Sequence, residues 1–292
     1  MITISIYDND SLNKYYPYAD ACLLMVPGYA ISYKDLNIDE AIKLCHDNNI
    51  IPILGINRIM HPFDLTNLFN FIDKYKTQNV LFYASDIGVM EYAKENNISN
   101  LFIYNPETMI TNGLDLNLYY DSLKPNAIAM SLEITINDYI HATKSFKGDL
   151  FYQIFGRRLM FYSNRKLISL YEDKNKTQYP HDNLYLREAT RTDLFPVLEN
   201  EYGTQIYRGY LLCYLKYLNS LNLKYEFIET LYIDTDKMIE ILKIFKEFKN
   251  TNDYLKSLES LNLLDLNIKD GFSINDSVYQ KEELKLWVNM NY

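Results

Sequence analysis

The chain has few of the residues that announce ready-made chemistry: three cysteines, four histidines, nine glycines and a single tryptophan in 292 residues. Cys22, Cys45 and Cys213 are odd in number and scattered, which excludes a disulfide framework or a paired-cysteine zinc site. Each lies in or beside an apolar run and reads as a small buried hydrophobe. His46, His61, His141 and His181 show no ligand spacing, and no phosphate-binding glycine loop, serine-nucleophile elbow or paired-histidine metal motif occurs. No apolar run approaches the roughly 20 residues that span a bilayer. The alternating start, Met1-Ile-Thr-Ile-Ser-Ile-Tyr-Asp8, lacks the basic flank and long apolar stretch of a signal peptide and reads as a strand. Positive charge is short as well: a net charge of −9 argues against broad coating with nucleic acid, which needs clustered Lys and Arg. The expectation is a cytoplasmic protein with no membrane partner.

What remains is a well-filled globular chain, 48% hydrophobic, and therefore able to build a sizeable core. Its 28 tyrosines accompany abundant Asn, Ile and Lys, a mixture that reads as AT-rich codon usage and not as a base-stacking signal. Strand-like apolar runs recur near Thr3–Tyr7, Cys22–Val26, Ile51–Gly55, Val80–Ala84, Leu101–Tyr104, Ala127–Met130, Leu150–Ile154 and Tyr225–Glu229. Several are continuous, as expected for strands covered on both faces. Helical spacing fills the intervals. Ile38, Ala41, Ile42 and Cys45 form one stripe, and Leu65, Leu68, Phe69 and Ile72 another, with Asp64 as its expected N-cap. Thr135-Ile-Asn-Asp138 reads as a capping box, and Met238, Ile241, Leu242, Phe245 and Phe248 line a late helix.

This alternation predicts an α/β chain of the (β/α)8, TIM-barrel-like kind. A dinucleotide-binding open sheet loses its main support, because no glycine fingerprint follows the first strand. The pattern breaks at residues 157–208, a turn-rich, charged and aromatic insertion between the seventh and eighth strands, which a barrel would place on its catalytic face. The organisation expected is one barrel over residues 1–250 including that insertion, then an extension over 251–292 that packs back through Gly271-Phe272-Ser-Ile-Asn275.

Polar residues just past a strand's C-terminal end reach the mouth of a barrel. Those places hold Asn57 and Arg58, Ser85 and Asp86, Asn105, Ser131 and Glu133, Arg157 and Arg158, and Glu229. Glu133 and Glu229 are the acid–base candidates, and no metal ligands are expected. Asn57, Asp86, Asn105, Ser131, Arg157, Arg158 and Arg165 are the binding candidates, the last from the basic run Gly156-Arg-Arg158 and Ser163-Asn-Arg-Lys166. Plainer roles compete: Ser85 and Asp86 as helix caps, Asn105 before Pro106 as turn chemistry, Arg157 as a structural ion-pair partner of Glu133, and His61 as a capping or loop residue.

In this order the segments resemble the collagenase-like peptidases of family U-32. Ser85-Asp-Ile-Gly88 is similar to that family's strand-end Asp-x-Gly, and Asn105-Pro106 to its strand-end Asn element. Ala127-Ile-Ala-Met-Ser-Leu-Glu-Ile-Thr135 is similar to its Leu-Ser-Arg-Glu-Leu-Ser segment, with Ser131 and Glu133 on the matching Ser and Glu. Phe155-Gly156 stands where the family has His-Gly or Tyr-Gly. Glu201-Tyr-Gly-Thr204 resembles its Glu-x-Gly-Thr, Phe227-Ile-Glu229 its Lys-Ile-Glu-Gly strand, and Gly271-Phe272 a terminal Gly-Phe. The resemblance implies a barrel-like fold. It also implies relatives that hydroxylate uridine or cytidine in RNA with dependence on prephenate and an iron–sulfur centre, the peptidase name being historical for many members.

The departures sharpen this. The family's cysteine cluster after Gly156 is missing between Arg157 and Leu212, where Met160-Phe-Tyr-Ser-Asn-Arg-Lys-Leu-Ile-Ser169 is similar to the Ser-x-Arg-x-Leu element of the short, cysteine-poor branch. Phe155 replaces the family's His, and Thr230 its Gly. The resemblance therefore implies a subunit in tRNA wobble-uridine 5-hydroxylation that acts with a cysteine-bearing paralogue as hetero-oligomer and touches tRNA. It would bind no iron–sulfur cluster alone and would hold a prephenate-like carboxylate or the target base. Two alternatives stand beside it: a collagenase-like peptidase, and a non-catalytic barrel scaffold.

Overall fold

The computed structural model describes residues 1–180, 184–190 and 192–271. His181, Phe272 and the extension beyond Gly271 lie outside the described residues. The chain is mixed α/β and alternates as the apolar runs predict. Its first seven strands are β1 (Ile2–Ile6), β2 (Ala21–Met25), β3 (Ile51–Ile56), β4 (Leu81–Ala84), β5 (Phe102–Tyr104), β6 (Ala127–Ile128) and β7 (Phe151–Gly156). Six helices fall among them: α1 (Asn9–Tyr15), α2 (Ile38–Asp47), α3 (Pro62–Tyr75), α4 (Ile87–Glu95), α5 (Gly113–Leu123) and α6 (Ile136–Thr143). Residues 157–208 then build β8 (Leu159–Ser163), α7 (Leu167–Asn175), β9 (Leu184–Arg187), β10 (Leu194–Asn200) and β11 (Gly203–Tyr207). The main sheet resumes with β12 (Leu211–Cys213), α8 (Leu218–Leu221), β13 (Tyr225–Ile228), α9 (Thr235–Thr251), α10 (Tyr254–Asn262) and β14 (Ile268–Lys269).

Ten strands form one curled, largely parallel half-barrel sheet in the order β14-β12-β7-β13-β1-β2-β3-β4-β5-β6. The sheet thus holds two strands beyond the eight expected. β12 pairs antiparallel with the end of β7, and β14 pairs with β12. At the other edge a lone parallel bridge joins Ile128 of β6 to Leu150, the residue before β7.

Side-chain alternation along the strands explains two separate apolar clusters. Cys22 and Leu24 of β2 face outward with Ile42, Cys45, Leu68, Ile72, Val89, Phe245 and Phe248 of the helices. Ala21, Leu23 and Met25 face the concave side with Ile53, Tyr83, Ile103, Phe151 and Phe227. All three cysteines are buried and unpaired. Among the described residues no helix is long and apolar enough to cross a membrane.

Two helix starts bear on the site. Thr135 caps α6 by accepting from the Asp138 N–H at 3.1 Å, as its box predicts. The N-cap of α3 is His61, whereas the sequence pattern points to Asp64. Pro62 at the first helical position starts the helix earlier, and Asp64 in its first turn accepts from the His61 N–H at 3.1 Å.

The insertion is more regular than its sequence suggests: an antiparallel sheet in the order β8-β11-β10-β9, with α7 against it. Glu199 of β10 accepts from the Ile168 N–H at 2.7 Å and the Ser169 N–H at 3.1 Å, placing a carboxylate at the start of α7. Thr204 accepts from the Leu167 N–H and donates to Arg165 O, both at 2.8 Å. Gly203 has φ +139°, and a Cβ there would stand 1.9 Å from Ser163 O, so the close approach of the start of β11 to the end of β8 needs glycine.

Candidate functional site

The parallel strands end on one side of the sheet, and the segments that follow them surround a cavity of about 70 Å³. That is well above the ~10–15 Å³ one ordered water needs. Tyr7 reaches it after β1, Ser32 after β2, Asn57 after β3, Asn105 and Glu107 after β5, Arg157 after β7 and Glu229 after β13. Leu23, Phe151 and Phe227 lie beneath, while Leu159 and Tyr207 cover it from the insertion.

Several contacts hold that cover in place. Asn200 donates to Ile31 O at 2.8 Å, Tyr33 donates to Glu201 at 2.6 Å, and the Ser32 and Tyr207 hydroxyls share a hydrogen bond. Arg58 is buried, pairs with Asp64 at 3.1 Å, and sets its guanidinium 3.9 Å from the centre of the Tyr202 ring. This anchors the loop after β3 to the β10–β11 turn and fixes the backbone beside Asn57.

Glu229 is the best-connected carboxylate in the cavity. Its Oε1 accepts from Ser5 Oγ at 2.8 Å, Tyr7 OH at 2.8 Å and the Leu231 N–H at 2.9 Å. Burial raises its pKa even so, with those hydrogen bonds pulling the other way. Gly156, at φ +105°, runs so close beneath that a Cβ would lie 2.2 Å from Glu229 O. Glycine at this position is what lets β7 pass the carboxylate's backbone.

Glu107 sits across the cavity mouth in a different setting. Its backbone is left-handed, φ 57°, an uncommon state for a residue with a Cβ. Asn105 braces it twice: its Oδ1 accepts from the Glu107 N–H, and its Nδ2 donates to Glu107 Oε1, both at 3.1 Å. The same Nδ2 donates to Tyr83 OH. Burial pushes the Glu107 carboxyl up to about 7, with the Ser85 hydrogen bond opposing. Tyr7, Tyr83 and Tyr207 are held protonated well above the usual phenol range, burial being the main cause.

Arg157 supplies the cation. Its Nη1 donates to Arg208 O at 3.0 Å, and among the described residues it makes no ion pair. Partial burial lowers its pKa, while Tyr185 and Tyr232 oppose the shift. Two further amides keep an open side. Asn57 Oδ1 accepts from the Ile31 N–H at 3.1 Å, and Gln153 Nε2 donates to Phe155 O and Arg157 O.

Of the residues expected from sequence, Asn57, Asn105, Arg157 and Glu229 line this cavity. The others lie elsewhere. Asp86 caps α4, accepting from the Gly88 and Val89 N–H groups at 2.7 and 3.3 Å. Ser131 is buried, and its Oγ accepts from the Glu133 N–H at 3.1 Å; this turn leaves Glu133 exposed to solvent and outside the cavity lining. An Arg157–Glu133 ion pair is therefore absent. Arg158 turns to Tyr214 OH at 3.0 Å, and Arg165 is exposed at the entry to α7. His61 stands outside the cavity lining, 3.1 Å from Asn164.

Sequence reasoning missed Tyr7, Tyr83, Gln153, Tyr207 and above all Glu107. The available signal for Glu107 was its place two residues past a strand-end Asn. Among the described residues no three His, Cys, Asp or Glu side chains converge as metal ligands would. Burial pushes the Cys213 thiol up to about 12, and the Cys45 thiol, together with burial, raises Cys22.

The family model described as Peptidase family U32 matches residues 29–253. The tRNA hydroxylation protein P2 of Bacillus subtilis (strain 168) is 21% identical over 269 residues, which cover 83% of this chain and 85% of that protein. Among solved structures, the U32 peptidase Mk0906 superposes with a TM-score of 0.51 at 10% identity, over 78% of this chain and 91% of that one. That likeness is one of fold.

Proposed function

This chain belongs to peptidase family U32, and on that premise we propose that it is a cytoplasmic component of tRNA hydroxylation. The likeness to a tRNA hydroxylation protein over most of both chains carries this reading. The reaction it serves is conversion of the wobble uridine to 5-hydroxyuridine, with a cysteine-bearing paralogue as partner.

The working site in this reading is the cavity at the strand ends, with the parallel strands β1–β7 and β13 acting as a TIM-like barrel. The Ile128–Leu150 bridge supports that closure. The cavity holds the target base or a small prephenate-like carboxylate. Arg157 is its cation, Asn57 and Asn105 its amides, and Glu229 an acid–base group anchored through Oε1. Ser131, Asp86, Arg158 and Glu133 stand outside the cavity lining and do not touch that ligand. The insertion carries nine Lys and Arg against seven Asp and Glu, where the rest of the chain has twenty against thirty-one. Exposed Arg165 and Lys166 give that region groups suited to phosphate.

The iron–sulfur centre implied by the family resemblance does not fit this chain's thiols. Such clusters take about four converging thiolates; here the three cysteines are buried in the core and held protonated where a shift is resolved. Their placement supports a partner that supplies the redox group.

The test is genetic and chemical. Deleting the gene and measuring the nucleosides of total tRNA by mass spectrometry should remove 5-hydroxyuridine or sharply reduce it. Normal 5-hydroxyuridine in the deletion strain contradicts the reading.

A further inference from the structure

We propose that Glu107 is a second proton-exchanging group of this cavity, beside Glu229, and that Asn105 is its positioning residue. The proposal deepens the tRNA-hydroxylation reading and rests on the cavity being its working site.

The first observation is backbone strain. Glu107, at φ 57°, is one of ten described non-glycine residues with positive φ, and the one of them that lines the cavity. Such residues cost stability and persist where the surroundings enforce them, often at working sites. Here the enforcing group is one side chain. Asn105 accepts from the Glu107 backbone and donates to its carboxylate, closing a small ring that turns the carboxyl into the cavity.

The second observation is the company the carboxyl keeps. Tyr83 of β4 and Ser85 just after it face the carboxyl; the Ser85 Oγ at 3.5 Å is a marginal contact. Across the cavity stand Tyr7 from β1, Tyr207 from the insertion, Arg157 after β7 and Glu229 after β13. No Lys, Arg or His is among the causes that set the Glu107 pKa. A structural carboxylate is ordinarily matched to a cation or to several N–H donors, as Glu199 is at α7. Glu107 accepts one amide and the marginal Ser85 contact, and otherwise lines the cavity.

The third observation is the contrast with Glu229. Two carboxyls face one cavity: Glu229 accepts from Ser5, Tyr7 and the Leu231 N–H, whereas Glu107 accepts from one amide and, marginally, from Ser85. Environments that differ in this way divide the acid and base roles between two carboxyl groups. Glu107 as carboxylate takes a proton from an O–H, N–H or C–H of the ligand, leaving the electron pair on the ligand. As the acid it returns that proton. No electrons change hands in this step, so the oxidation itself belongs to the partner's chemistry.

The experiment has two arms on the full chain. Protein labelled with 13C at glutamate carboxyls is titrated by NMR, first as wild type and then as Glu107→Gln and Asn105→Ala. One carboxyl should titrate near neutrality, vanish in Glu107→Gln and shift in Asn105→Ala. A deletion strain is then supplied with wild type, Glu107→Gln or Glu107→Asp, with protein levels and thermal unfolding checked for each. The Gln variant should lower tRNA 5-hydroxyuridine about tenfold or more, and the Asp variant should restore part of it. Titration of every carboxyl below pH 5, or full 5-hydroxyuridine with Glu107→Gln, overturns the proposal. If the deletion strain itself retains 5-hydroxyuridine, the tRNA reading fails, while the titration arm still decides the proton-exchange assignment.

Discussion

At the residue scale the site turns on how two glutamates are held. Glu107 keeps its proton to about pH 7, against 4.5 for a free glutamate. The folded state therefore binds an extra proton between these values. That contribution to stability is complete below about pH 4.5 and is lost as pH rises to about 7. Each pH unit between the two values is worth about 1.4 kcal/mol, so the contribution is on the order of 3 kcal/mol. Urea unfolding of wild type and Glu107→Gln at pH 5 and pH 8 isolates it from every other carboxylate. The variant should gain on wild type by a few kcal/mol between the two pH values. A difference that stays constant with pH would show that the carboxyl is not confined as described.

The same scale explains which residues could be read from sequence. Asn57, Asn105, Arg157 and Glu229 follow the ends of apolar strands, so position alone brings them to the cavity. Glu107 has the same destination by an unreadable route, since a left-handed turn after Pro106 aims it inward. Glu133 departs from expectation for a physical reason. The apolar run Ala127–Met130 suggests a strand delivering Ser131 and Glu133 to the mouth, but β6 stops at Ile128. The chain leaves the sheet early, Ser131 closes a turn on the Glu133 backbone, and the glutamate side chain is left in solvent.

At the element scale the parallel strands were legible because both faces are buried, giving continuous apolar runs that need no partner to identify them. The stripe Met238, Ile241, Leu242, Phe245 and Phe248 likewise became the buried face of α9. The insertion's sheet was not legible. Its strands are partly exposed, β10 contains Pro196, and β9 ends on Arg187, so neither alternation nor propensity marks them. What holds this region is a few polar anchors, Glu199 and Thr204 foremost. Glu199→Ala removes the acceptor for the Ile168 and Ser169 N–H groups at the start of α7. A loss of about 1–2 kcal/mol is expected, with faster proteolysis between residues 165 and 176 and little change in the main sheet. Unaltered cleavage would mean that α7 is held by its apolar contacts instead.

At the scale of the whole molecule, a half-barrel sheet carries its polar groups on one rim, and the insertion closes over them. The arrangement puts the net-positive part of an acidic chain beside the cavity built from the strand ends, with exposed Arg165 and Lys166 close to α7. In the proposed reading, phosphate contact outside and proton exchange inside belong to adjoining surfaces. The missing cysteines fit a chain that positions a ligand and leaves redox chemistry to a partner. The central claim, that the strand-end cavity serves tRNA hydroxylation, is tested most directly through Glu229→Gln. Glutamine keeps an Oε1 acceptor for Ser5, Tyr7 and the Leu231 N–H but removes the ionisable group. The measurement is 5-hydroxyuridine in tRNA from a deletion strain supplied with this variant, expressed and folded at the wild-type level. The account predicts a fall to the level of the deletion strain; 5-hydroxyuridine at the wild-type level would contradict it.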